Sequence, residues 1–144
     1  MSARSVALLF LTFAFASCGE SAADAERVFW EHAESFERAR ALATEQAAAS
    51  GEYGLRISDA NPPGMSEPAR ELNRLLAGVG VQSVRAERDS ASVWHVAFTL
   101  QESGLATSGQ ILSIAHGDEP RGPYNEFSEV RPLGGGWYVS DYVW

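Results

Sequence analysis

"SVWHVAFTL", residues 92–100, decides the fold. Trp94, Val96, Phe98 and Leu100 alternate with His95, Ala97 and Thr99. A period of two puts each set on its own face of a β-strand. The same alternation returns in "GQILSIAH", residues 109–116, with Leu112 and Ile114 on one side. The two segments read as antiparallel neighbours, and two registers compete. With Val96 opposite His116, Phe98 meets Ile114 and Leu100 meets Leu112, so the apolar side chains gather on one face. A slip by one residue, which sets His95 opposite His116, scatters them. The first register is expected, and it sends His95 and His116 to opposite faces of the sheet.

Outward from this pair, "VQSVRAER" (81–88) and "YGLRIS" (53–58) read as strands, the latter with Tyr53, Leu55 and Ile57 on one face. "EFSEVRPL" (126–133) and "WYVSDYVW" (137–144) flank "GGG" at 134–136 and form a final pair. Ahead of the strands, residues 24–49 carry Phe29, His32, Ala33, Phe36, Ala39 and Ala43 at three- and four-residue spacings. That spacing predicts one long amphipathic helix. Asp24 is its expected N-cap, with Glu26 in the first turn, and Gly51 is its expected end. "NPPG" (61–64) breaks the chain, and "SEPARELNRLLAG" (66–78) reads as a second, short helix. Ser66 is its expected cap, Pro68 lies in its first turn, Leu72, Leu75 and Leu76 form its buried face, and Gly78 is its expected stop. The order predicts an α+β fold: a long N-terminal helix packed on a curved antiparallel meander of four to six strands, with a second short helix. One domain over residues 24–144 accommodates it. The arrangement loosely resembles the cone-shaped NTF2-like and the cystatin-like folds. Residues 96–139, from "VAFTLQESGLATSG" to the late "GGGWYV", also resemble a pattern in small bacterial exported proteins, which implies the fold and no activity.

Residues 1–17 have another character. "MSAR" carries one positive charge and is followed, after Ser5, by a ten-residue stretch, Val6 to Phe15, that is apolar apart from Thr12. A membrane-spanning helix needs about 20, whereas ten suit the apolar part of a secretory signal. "Phe15-Ala16-Ser17-Cys18" resembles a bacterial lipobox, with Phe15 where leucine is usual. The resemblance implies cleavage before Cys18, lipidation of that cysteine and anchoring of the mature chain to a membrane. It also accounts for the single cysteine of an exported chain, otherwise a thiol without a partner. Gly19 after the cysteine resembles the pattern sent to the outer membrane of diderm bacteria. Residues 18–23 then form a short tether.

Charge narrows the partners. The chain carries a net charge of −8, and all eleven of its cations are arginines. Without residues 1–17, ten arginines stand against nineteen acids, a net of −9. Such a chain is repelled by nucleic acid, so no nucleic-acid partner is expected. The absence of lysine excludes Schiff-base chemistry and the phosphate-loop lysine.

Catalytic signals are few. No serine sits in a G-x-S-x-G elbow, and "EHAES" lacks the H-E-x-x-H spacing of zinc proteases. "GVGVQS" (78–83) follows a helix, whereas a dinucleotide loop follows a strand. Glu126 and Glu129 read as solvated surface. His32 reads as a core or boundary residue. With His95 and His116 on opposite faces and no third ligand in sight, no metal site and no cofactor are expected. "WYVSDYVW" sets Trp137, Val139 and Val143 on one face and Tyr138, Tyr142 and Trp144 on the other. Both faces are apolar, as in a strand covered on both sides. The bland reading is core. The sharper one is an aromatic partner-binding surface of Trp137, Tyr138, Tyr142 and Trp144, extended by Trp94 and rimmed by Arg121 and Arg131. The leading functional expectation is a lipid-anchored accessory or binding protein with an envelope protein partner. The alternative is a small-molecule-binding or hydrolytic domain using His95 and Asp59, recognisable by a deep polar pocket.

Overall fold

The computed structural model describes residues 21–58, 60–105, 108–118 and 127–143. The signal segment, Cys18, Asp59, Arg121 and Trp144 lie outside them. The chain order is helix α1 (Ala22–Glu31), helix α2 (Ala33–Ala47), strand β1 (Glu52–Arg56), helix α3 (Glu67–Leu76), then strands β2 (Ser83–Arg88), β3 (Trp94–Leu105), β4 (Ser108–His116), β5 (Phe127–Gly134) and β6 (Trp137–Val143).

The first helical stretch is two helices, where its periodicity predicts one. His32 leaves the helical region, with φ −128° and ψ 26°. The sheet supplies the reason. α1 packs over β4, β5 and β6, and α2 over β1, β2 and β3. A β-sheet twists, so a helix crossing all six strands must change direction. α1 also starts earlier than expected. Ser21 is the N-cap and Asp24 the third helical residue of a capping box. The Asp24 backbone N–H donates to Ser21 Oγ at 3.2 Å, and Asp24 Oδ2 accepts from the Ser21 backbone N–H at 3.0 Å. α3 is capped by Ser66 as expected. It runs on through a 3-10 turn, Ala77–Val79, so Gly80 with φ +90°, and not Gly78, makes the left-handed stop.

The six strands form one antiparallel sheet in the order β1-β2-β3-β4-β6-β5. The first four follow one another as a meander. The last two reverse, so that β6 lies between β4 and β5. The expected register holds at Val96 opposite His116 and Phe98 opposite Ile114. It then shifts: Thr99 pairs with Ser113 but Gln101 with Leu112, which leaves Leu100 as the extra residue of a bulge. Leu100 and Leu112 are both buried all the same.

The helices cover one face of the sheet, and an aromatic cluster fills the space between. Phe36 stands edge-on to Phe98 at 5.2 Å, Phe29 lies 5.0 Å from Trp137, and Phe98 stacks on Trp137 at 6.0 Å between ring centres. Leu72 and Leu76 of α3 and Val84, Val96, Ile114 and Val139 of the sheet complete the core. Asn73 of α3 is buried with its polar atoms used: its Oδ1 accepts from the Ser58 N–H at 2.8 Å and its Nδ2 donates to the Ser58 carbonyl at 2.6 Å. These bonds tie the segment after β1 to α3.

Candidate functional site

Three chain segments meet at one end of the sheet: the β2–β3 turn, the end of β4 and the β5–β6 turn. Asp89 builds the first, with Oδ1 accepting from the N–H groups of Ala91 and Val93 at 2.9 Å each. The Gly117 N–H donates to the Gly136 carbonyl at 3.0 Å and so joins the other two. Gly117, with φ +137°, allows the close approach. A Cβ there would lie 2.7 Å from His95 Nδ1 and 3.0 Å from the Trp94 carbonyl oxygen.

On the helix side of this end, a cleft of about 380 Å³ opens beside α2, lined by Arg40, Thr44, Trp94, Val96, His116 and Gly136 among others. His116 enters it from the end of β4, its ring edge-on to Trp137 at 5.1 Å. His116 Nε2 lies 3.1 Å from the Gly135 carbonyl oxygen. A carbonyl only accepts, so this nitrogen carries the proton, and Nδ1 is the acceptor of the neutral ring. Burial, and then the nearby Arg40 guanidinium, push the imidazole below its ordinary pKa, which favours that neutral ring near pH 7.

Arg40 is steered by Glu37. Its Nε and one terminal nitrogen donate to Glu37 Oε2 at 3.1 and 2.9 Å, while Glu37 Oε1 accepts from the Trp137 indole at 2.7 Å. Burial alone would raise the Glu37 pKa, but the hydrogen bonds from Trp137 and Arg40 outweigh it and the net shift is downward. Thr44 Oγ1 is buried with no hydrogen-bond partner among the described residues. Trp94 forms an aromatic wall, with the Arg88 guanidinium 5.4 Å from its ring centre. The cleft thus offers an acceptor, a cation held by Glu37 and an aromatic wall, with Thr44 in its lining, which suits a small polar ligand. His116 bonds to a carbonyl and not a carboxylate, so it lacks the partner that would strengthen it as a base.

The other face of the same end holds His95, as the register requires. Its Nε2 lies 3.2 Å from Asp89 Oδ2. Asp118 completes a group whose ligand atoms all lie within 4.8 Å of one another. These three could reach one divalent cation, and the two carboxylates beside His95 were not legible in the sequence. The contacts present already account for two of them: Asp89 closes the turn and holds His95. Hydrogen bonds from Val93 and His95 keep the Asp89 carboxyl below its ordinary pKa.

The structure divides the aromatic residues expected at a binding surface. Trp94 and Trp137 lie on the helix face, and Trp137 is a core residue, 5% exposed. Tyr138 and Tyr142 lie on the opposite face, as the alternation predicts, and Tyr138 is 7% exposed. Trp94 therefore does not extend a Tyr138–Tyr142 surface, because the register that buries Val96 and Phe98 carries Trp94 to the helix side. Arg131 pairs with Glu26 of α1 at 2.9 Å and with Glu129 at 2.6 Å. Sequence reasoning missed Thr44, although a hydroxyl directly after buried Ala43 is a visible signal. It also missed Trp30, which follows the stripe residue Phe29 and is 58% exposed.

Comparison with known proteins adds no relative: no family model, no curated protein and no solved structure matches this chain.

Proposed function

We propose that the protein is a lipid-anchored domain of the bacterial envelope that acts by binding an envelope protein, without catalysis of its own. The observation that carries the reading is the placement of the single cysteine. Cys18 stands three positions after the apolar stretch Val6 to Phe15 and three before the Ser21 cap of α1. A diacylated cysteine there holds the domain directly on its membrane, and Gly19 favours the outer membrane, facing the periplasm. Binding without catalysis is supported by the filled interior, where Phe29, Phe36, Phe98 and Trp137 pack together between the helices and the sheet.

Labelled palmitate fed to a diderm bacterium producing the full chain tests the anchor. Label on the wild type and none on Cys18→Ala, with loss of the variant from the membrane fraction, is the expected result. Equal membrane retention of both would refute the anchor. Mild cross-linking in native membranes tests the binding role, and a defined partner captured by the wild type but not by Cys18→Ala supports it.

A second reading, a small-molecule-binding or hydrolytic domain, is favoured by one observation: the unpartnered Thr44 hydroxyl belongs to a residue of the cleft that His116 also lines. Ligand binding abolished by both Thr44→Val and His116→Ala would move the function into the cleft.

A further inference from the structure

We propose that α1 lies against the lipid surface that holds Cys18, with Trp30 seated among the headgroups; this rests on the lipid-anchor reading of Cys18. α1 has two unlike sides. Ala22, Ala25 and Phe29 are buried against the sheet. Ala23, Arg27 and Trp30, at steps of four and three, make an exposed stripe along the other side. Trp30 is the more exposed of the two large apolar side chains that stand out among the described residues, the other being Val143. Its ring rests edge-on against Phe29 at 5.1 Å, which holds it outward.

The anchor sets where this stripe can go. Three residues from Cys18 to Ser21 span at most about 11 Å, and α1 advances about 12 Å from Ala22 to Trp30. The stripe begins at the anchored end and runs along the helix, so a helix laid flat brings Trp30 to the same bilayer surface. Tryptophan suits that layer, where its ring meets apolar matter and its N–H meets water and headgroups. Arg27 pairs with Glu31 at 3.2 Å, so the stripe carries little net charge. The mature chain at −9 is repelled by anionic headgroups, and the occupant is therefore a zwitterionic surface such as phosphatidylethanolamine. A second copy of the chain fits poorly. One exposed indole on a helix that also carries exposed Arg27 and Glu31 falls far short of the roughly 800 Å² per partner of a stable interface.

Lipidated protein purified from membranes and reconstituted in phosphatidylethanolamine–phosphatidylcholine vesicles, with and without brominated acyl chains, tests this. Trp30→Phe is compared with the wild type, and the three tryptophans that both share, Trp94, Trp137 and Trp144, give the common background. The brominated lipid is expected to quench the wild type and to quench Trp30→Phe less, the difference being the share of Trp30. Equal quenching of the two proteins, both still held by their vesicles, overturns the docking and leaves the anchor standing. Absence of acyl chains on Cys18 overturns both.

Discussion

Phe36 sits at the centre of the helix–sheet contact, so its removal tests the packing directly. It is 0% exposed and touches Phe29, Phe98 and Trp137. Phe36→Ala removes the ring and leaves a cavity that its neighbours cannot close, because two strands and α1 hold them. Such a change costs about 3–5 kcal/mol. Against a total of about 5–15 kcal/mol for a domain, that is a large share. At roughly 3–5 °C per kcal/mol for a chain of this length, the midpoint should fall by about 10–20 °C. Urea unfolding, followed by tryptophan fluorescence and far-ultraviolet circular dichroism, reads the loss. A double-mutant cycle then isolates one contact. Phe36→Leu and Phe98→Leu should couple by about 0.5–1.5 kcal/mol through their edge-to-face pair, whereas Phe36→Leu and Val143→Ala, the latter exposed at the far end of β6, should add within about 0.5 kcal/mol. A Phe36→Ala loss below about 1 kcal/mol, the size of an ordinary substitution, would refute the placement of α2 on β3. So would a Phe36–Phe98 coupling of zero.

Three further outcomes follow from the buried polar groups and the tight turns. Asn73→Ala strands the Ser58 N–H and C=O and should lower stability by about 1–3 kcal/mol, read as a shift of the urea midpoint. His116 has a folded pKa lowered by burial and by Arg40. Its contribution is therefore intact above the unfolded value of about 6.5 and is lost as pH falls through the folded one. Stability measured from pH 7.5 to 5 should decline, and His116→Gln should remove that part of the decline. Gly117→Ala forces a side chain into His95 at a backbone angle that L-residues avoid. It should destabilise by about 1–3 kcal/mol and change the His95 imidazole signals in an NMR spectrum, while Gly54→Ala, with open space around it, should do neither.

Much of this architecture was legible because it is written in period and punctuation. The alternation of residues 94–100 and 110–116, with a preference for one apolar face, is enough to choose the register and to part His95 from His116. What escaped depends on partners far away in the chain. The break at His32 answers the twist of a sheet that residues 24–49 do not contain. The bulge at Leu100 leaves both Leu100 and Leu112 in the core, so the apolar pattern carries no mark of it. The exchange of β5 and β6 is invisible to any local rule, since both orders alternate equally well. The site suffers the same limit more severely. Arg40, Thr44, Trp94 and His116 come from three elements, and only the assembled fold makes them neighbours. Trp137 was legible as core or as surface from its strand alone, and α1 and α2 decide for core.

The place of β6 between β4 and β5 also sets the order in which the fold can close. β5 has β6 as its sheet neighbour, and Trp137 reaches Glu37 across 100 positions of sequence. Until the sixth strand arrives, β5 has nothing to pair with, β4 keeps a bare edge and the aromatic cluster lacks its largest ring. Contacts of such long sequence separation form slowly. The helices and the earlier strands therefore wait for β6 before the core between them can close.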